Sequence, residues 1–542
     1  MLSDSHGEGV LSRYQSLRLE GRMCDVVLDA EGVEFPAHRT LLACSSDYFW
    51  SLFQDYTLES GARTISLPAL SSLGLEQILD FIYTSWISLS PSTLEVTLQA
   101  ACYLQISHAV DLCTQYISES ITPDNCCFFA NIAARYGLSE AFKDSNTFIA
   151  SNMCRILASE QYKAELMELN LESLQEVLVA EDMPGVKESD LLQVVLEWLE
   201  CNPQSPLQSN ALLSRIRFGL VPPEELSQLS ALKPALSTPF MCSVVQKAFN
   251  YHLQGPLQPL LQSVHTSLRA TNSKIVLVGG GSEANRPQNQ ILTYEPRSKK
   301  FQPLSTSLPY NVQHQGICVV GNFLFVLGGE KGEPALSTVE KYNMSEGCWR
   351  SGVSLPFSVH GHACATIGTG IYISGGLHIN NPESSKEVWR YDPRFEQWEE
   401  MEPLLQKRAQ FACCVMEGVI FAIGGRGEKG EPALSTVEKY NMSEGCWRSG
   451  VSLPFSVHGH ACATIGTGIY ISGGLHINNP ESSKEVLFFN AIEGDAWQRR
   501  CNMSIARFGH QMATVKGRIY TFLGMYEPFC DIECYSPEQD IW

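Results

Sequence analysis

Hydrophobic and polar positions change rhythm along the 542-residue chain. From Cys24 to Arg39, CDVVLDAEGVEFPAHR alternates apolar and polar residues on either side of Glu31-Gly32. A period of two around a glycine-containing turn predicts a β-hairpin. LEQILDFIYT (Leu75–Thr84) and LEVTLQAACYLQI (Leu94–Ile106) show helical apolar spacing. Residues 122–250 keep that spacing almost throughout, with breaks at Pro184-Gly185 and Pro222-Pro223. The chain therefore divides into a mixed α/β region over 1–121, an all-α region over 122–251, a polar, irregular linker over 252–272 and an all-β region over 273–542.

The all-β region is repetitive. Short strands end in Gly279-Gly280, Gly328-Gly329, Gly375-Gly376, Gly424-Gly425 and Gly473-Gly474, and a sixth copy reads Gly524-Met525. Successive first glycines are 49, 47, 49, 49 and 51 residues apart. A strand-rich period near fifty is that of propeller blades. Tyr294/Phe301, Tyr342/Trp349, Tyr391/Trp398, Tyr440/Trp447 and Tyr535/Trp542 are each seven apart, and Phe489/Trp497 eight apart. Glycine lets backbones approach where a side chain would clash, and large aromatic rings fill the wedge between blades. A six-bladed propeller is expected, with its last blade incomplete. Blade one begins at Ile275–Val278, so its innermost strand should follow the final tryptophan, and Trp542 ends the chain. A truncated C-terminus or a substitute strand from the linker, His265–Ala270, would account for this.

Charge lowers the prior for nucleic acid, because a net charge of -20 opposes a phosphate backbone. No apolar run has the length of a membrane span, and Met1–Val10 lacks the apolar core of a secretory signal. A cytoplasmic protein, or a nuclear one, is expected, with its 19 cysteines mostly reduced. No CxxC pair occurs, so neither a metal nor a cofactor is expected from spacing. Ser-His-Asp groupings and phosphate loops are also missing, and the expectation is a protein without catalytic activity. The nearest approach to a ligand cluster is the pair of HGH copies, His360/His362 and His458/His460, which structural packing explains better.

The glycine-pair and Tyr…Trp units resemble kelch repeats, and the whole chain resembles the BTB–BACK–kelch (kelch-like) family. CDVVL, FPAHRTLLACSSDYFWSLF and ILDFIYTSWISLS resemble BTB segments. NCCFFANIAARYGL, ESDLLQVVLEWL and RIRFGL resemble BACK helices. The resemblance implies a homodimer formed through the BTB domain, where Leu11, Tyr14 and Leu17 share a helical face. Asp25 and Arg39 match the charged pair of the dimer pocket, or form a buried structural ion pair. It further implies a substrate-recruiting adaptor of a cullin-3 RING-type ubiquitin ligase. BTB–BACK would hold the cullin-3 scaffold, and the propeller would hold a protein substrate whose identity stays open. The alternative is a dimeric, actin-linked cytoskeletal scaffold. In the cullin-contact segment Tyr56-Thr57-Leu58-Glu59, Glu59 matches the family, whereas Thr57 stands where relatives place an apolar residue. Weaker cullin binding is expected, unless Tyr56 or Leu58 substitutes.

Kelch ligands usually sit on one face of the propeller. The slot 16 residues before each glycine pair holds Val312, Val359, Arg408, Val457 and, 17 before, Arg507. Arg408 and Arg507 are the favoured ligand contacts, joined by Tyr310, His360, His458 and Phe508. Phe357 and Phe455 either join them or pack between blades. Gly329–Val388 and Gly427–Val486 are identical over sixty residues at an offset of 98. A recent two-blade duplication or a misassembled gene model explains such identity, and a genuine duplication presents two copies of the LHINNPESS loop.

Overall fold

Glu31 and Gly32 both adopt left-handed backbone angles, φ 53° and 80°, and close the expected hairpin. The computed structural model describes residues 4–54, 57–269, 274–281, 287–296, 298–332, 335–378, 381–392, 395–428, 432–476, 479–492, 494–524 and 532–542. They fall into two compact units, Met1–Val186 with Glu197–Pro203, and Lys187–Leu196 with Gln204–Trp542. Among the described residues no helix is long and apolar enough to cross a membrane.

In the first unit, Val26–Ala30 pairs antiparallel with Val33–Ala37 and parallel with Thr64–Ser66. Leu28, Leu42, Phe49, Leu75, Leu79 and Tyr83 form the fully buried core behind this sheet. Helix Pro91–Tyr103 starts on a reciprocal Ser90–Thr93 capping box with Pro91 in its first turn. Helices Cys126–Tyr136 and Ser139–Leu157 follow, separated by Gly137 in the left-handed conformation. Of these three helices, the first lies within three residues of the helical spacing at Leu94–Ile106, and the other two fall inside the helical region over 122–250.

The second unit carries the propeller. Its blades two to five each hold a four-stranded antiparallel sheet, and among the described residues blades one and six hold three strands each. Among its described residues the linker supplies no strand. Gly255–Leu260 forms a short 3-10 turn. Arg269 is buried and ion-paired to Glu188, and Leu268 N donates to Asn322 Oδ1 at 2.9 Å. The polar linker is thus tied down by buried polar contacts. Ile275–Val278 pairs only with Ile291–Glu295 among the described strands, so no innermost strand covers its other edge. Blade one instead meets blade six through side chains. Ile275, Tyr294, Val515 and Phe522 share one buried cluster, with Tyr294 and Phe522 ring centroids 5.6 Å apart.

Neighbouring blades are sewn by backbone. The second glycine of each pair donates its N–H to a carbonyl of the next blade. Gly280 reaches Val312, Gly329 reaches Val359, Gly376 reaches Arg408, Gly425 reaches Val457 and Gly474 reaches Arg507, all at 2.8–2.9 Å. A Cβ on Gly375 would lie 2.3 Å from Arg408 O, which is why the first residue of the pair is glycine. The tryptophans add a second thread. Trp398, Trp447, Trp497 and Trp542 donate their indole N–H to carbonyls of Val353, Glu402, Val451 and Cys501 at the end of the preceding blade, at 2.8–3.1 Å. Each ring also packs on its partner seven or eight residues earlier, as expected, with centroids 5.0–5.2 Å apart.

Gly280 and Gly376 give a matched test of this seam, because their φ angles are 99° and 96°. A Cβ on Gly280 meets open space, whereas one on Gly376 would lie 2.6 Å from Val359 Cγ2. Alanine at either site bears backbone strain of about 1–3 kcal/mol. Gly376→Ala should lose about 1–3 kcal/mol more through overpacking. Urea unfolding of the two variants measures the difference, and equal losses would contradict the seam.

Candidate functional site

At one end of the propeller the innermost strands begin and the glycine-pair strands end. The five residues that lead into the innermost strands, His314, Gly361, Gln410, Gly459 and Gly509, all have left-handed φ angles of 50–67°. They are chained by backbone hydrogen bonds. Gly361 N donates to His314 O at 3.2 Å, Gln410 N to Gly361 O at 2.9 Å, Gly459 N to Gln410 O at 2.9 Å and Gly509 N to Gly459 O at 2.8 Å. Further along, the innermost strands line a cavity of about 330 Å³ with Cys364, Cys414, Cys462 and small neighbours, and none of the five belt residues is part of its wall. Burial, then contact with Cys318, pushes the Cys364 thiol well up, and contact with Cys462, then burial, does the same to Cys414. Both stay protonated at neutral pH.

The belt sets out the residues that precede its glycines. His360, His458 and Phe508 stand one per blade around the mouth, each half-buried. His458 meets the edge of Phe508 at 5.7 Å. Burial, then the Arg426 charge, lowers the His458 pKa to about 4, so its ring is neutral and can accept or donate. Burial likewise lowers His360, opposed by Glu330 and assisted by His314. Tyr310 is half-buried, and its hydroxyl bonds Thr338 Oγ1. It stands against the core of blades one and two. Phe357 stacks on His378 and Phe455 on His476, with centroids 4.5 and 4.2 Å apart, so both are packed within their blades. His362 and His460 are buried in the seams near Gly328 and Gly424. The HGH copies therefore send one histidine to the mouth and one inside.

Arg408 and Arg507 require a correction. Both side chains are fully buried and present nothing to a ligand. Arg408 donates to Glu438 Oε1, Gly424 O, Thr436 O and Thr436 Oγ1 at 2.7–3.0 Å. Arg507 repeats the pattern with Glu533 Oε2 at 3.0 Å and Leu523 O at 2.9 Å. A guanidinium can be buried only with such partners, and they lie 16–30 residues away, outside any local motif. The other three slot residues, Val312, Val359 and Val457, are equally buried. The slot belongs to the seam.

The mouth also gathers residues that the sequence reading passed over. His314 Nδ1 lies 3.0 Å from Glu330 Oε1, and His360 Nδ1 lies 3.6 Å from Glu330 Oε2. The two imidazoles are nearly parallel, with centroids 6.3 Å apart. Their shared signal is position: the residue entering an innermost strand, and the residue after a glycine pair.

In the BTB region, Leu11, Tyr14 and Leu17 lie on helix Asp4–Leu19 and are half-buried, Tyr14 with its edge toward His38 at 5.1 Å. Asp25 is exposed, and its Oδ1 accepts from Arg39 N at 2.9 Å, so the buried-pair alternative fails. The Arg39 guanidinium donates to Ser60 O at 2.9 Å and lies over the Phe53 ring. Thr57 turns its hydroxyl onto Leu52 O and Gln54 O, at 2.6 and 3.0 Å, capping the end of helix Asp47–Leu52. Leu58 and Glu59 begin a 3-10 turn, Leu58–Gly61, and Tyr56 lies outside the described residues.

An α/β head, a helical middle and a glycine-seamed propeller define a multidomain class of BTB–propeller proteins. Family models agree: BTB/POZ matches residues 14–121, BTB And C-terminal Kelch matches 126–231, and the Attractin/LZTR1 β-propeller matches 324–538. Kelch-like protein 34 of Homo sapiens is 38% identical over 99% of this chain and 84% of its own length. Kelch-like protein 36 of Mus musculus is 30% identical over 99% of this chain and 81% of its own. The chain belongs to the BTB–BACK–kelch family of kelch-like proteins.

Two measurements check the electrostatics of the seam. Arg408→Met leaves Glu438 buried without its cation and should destabilise the protein by about 3–5 kcal/mol in urea unfolding. Adding Glu438→Gln should recover at least half. In blade two, Val312 occupies the arginine slot, and burial raises the pKa of Glu340, the duplicate of Glu438, while Ser351 partly offsets it. The folded state therefore holds that proton to higher pH than the unfolded chain. Its stabilising contribution is complete below the unfolded pKa and is lost as pH rises through the folded one. Glu340→Gln should flatten that pH dependence and raise the melting temperature at pH 7 by about 2–4 °C.

Proposed function

We propose that this protein is a substrate-recruiting adaptor of a cullin-3 RING-type ubiquitin ligase, working as a homodimer in the cytoplasm. BTB–BACK holds the cullin, the mouth of the propeller holds a protein substrate, and ubiquitin transfer belongs to the assembled ligase. The observation that carries the reading is the order of the three matched domains, ending in a propeller with a hydrogen-bonded, side-chain-rich mouth. His360, His458 and Phe508 are the substrate contacts in this reading, with Tyr310 behind them. Arg408 and Arg507 have no place in it. The substrate face is mixed in character, since Glu330 stands at the mouth beside His314 and His360 while Arg426 is exposed beside His458. Leu11, Tyr14, Leu17, Asp25 and Arg39 serve the dimer.

Thr57 tunes the cullin contact. Its hydroxyl is committed to helix carbonyls, which leaves only a methyl group to offer an apolar partner. Co-purification of the full chain should recover cullin-3, and Thr57→Leu should increase affinity about fivefold, the equivalent of roughly 1 kcal/mol of apolar burial. The same change should lower the stability of the BTB region by about 1 kcal/mol through the lost hydroxyl bonds. No cullin-3 with either protein would refute the reading. Sedimentation with actin filaments would then favour the scaffold.

A further inference from the structure

We propose that His314, Glu330 and His360 form a binding site for a borderline divalent transition ion, of which Zn2+ is the representative, at the mouth of the propeller. The proposal does not depend on the adaptor reading. One ligand atom from each residue lies within 4.8 Å of the other two. Both Nδ1 atoms face the same carboxylate, at 3.0 and 3.6 Å. Two imidazoles and a carboxylate are a common three-residue donor set for Zn2+, and the fourth position stays open for water or another ligand. The side chains are 50%, 19% and 26% exposed in the order His314, Glu330, His360, so an ion has a path in and a partly dry seat.

All three ligand-bearing backbones are held before any ion arrives. Glu330 and Gln313 exchange two backbone hydrogen bonds, at 2.8 and 3.0 Å. Gly361 N ties His314 O to the blade that carries His360. Gln313 Nε2 donates to Glu330 Oε1 at 2.9 Å and orients the carboxylate, the kind of supporting contact that ligating side chains need.

The duplicated blades supply an internal control. His458 is the copy of His360, at an offset of 98. Its surroundings differ. Gln410 takes the belt position of His314, and Arg426 pairs with Ala409 in the bridge that Glu330 makes with Gln313. Two extra residues after Gly424-Gly425 displace the copied glutamate, Glu428, onto Lys407 at 2.9 Å. One imidazole beside a guanidinium does not attract a cation, so only the His360 copy has a site.

Titrating the reduced full-length protein with Zn2+ against a chromophoric chelator tests the proposal, with Co2+ absorption as the second readout. Wild type and His458→Ala should each hold one ion that Glu330→Gln, His360→Ala and His314→Asn bind at least about tenfold more weakly. The corresponding Co2+ difference spectrum should show d–d bands without thiolate charge transfer, which separates the site from the cysteines. His314→Asn keeps a residue that tolerates the left-handed backbone, so it carries the test if His360→Ala misfolds. The proposal is overturned if wild type binds no Zn2+ at about 100 µM, if Glu330→Gln and His314→Asn bind as wild type does, or if His458→Ala loses the ion as well.

Discussion

The hydrogen bond from the second glycine of each pair to the next blade's carbonyl is the contact on which the propeller depends. It places two backbones in direct apposition, and the donating residue of each pair sits at φ 92–101°, a left-handed conformation that favours glycine. Everything else in the seam accommodates that approach. The slot residue whose carbonyl accepts the bond is drawn inside, whether it is Val312 or Arg408. An arginine there must find a carboxylate within its own blade, and Glu438 and Glu533 supply one. Two residues further along, the chain turns through a left-handed conformation, and the belt of hydrogen bonds at the mouth results.

This order of causes separates scaffold from surface. Residues of the slot and of the strand entries hold the ring together. The residues between them, His360, His458 and Phe508, are turned to the mouth by the same backbone geometry. The two identical stretches repeat the scaffold faithfully but differ at the surface, because the residues around them are not identical. Glu340 and Glu438 have identical local sequence, yet one faces Ser351 and the other Arg408. His360 and His458 differ in the same way, through Glu330 and Arg426.

Features with a local cause were legible in the sequence. Alternation around Glu31-Gly32, helical spacing at Leu75–Thr84, glycine pairs and aromatic spacing each arise from neighbouring residues, and each stands in the structure where expected. Features that depend on distant partners were not. Arg408 resembles a ligand contact because its spacing is regular, and only the fold reveals that Thr436 and Glu438 surround it. Thr57 stands out in the sequence for the apolar group it lacks, and only the fold shows that its hydroxyl is committed to Leu52 O. The His314–Glu330–His360 group draws on two blades and joins a histidine of the HGH motif to two residues that no motif singles out.

Hydrogen exchange at Gly361, Gln410, Gly459 and Gly509 in the intact protein tests most directly whether the backbone belt holds the mouth in place. If it does, these amides exchange as slowly as those within the innermost strands, Ala363–Ile367 and Ala461–Ile465, because opening them requires blades to separate. Exchange at the rate of exposed turns, with the strands still protected, would show that the mouth is held by something other than the seam.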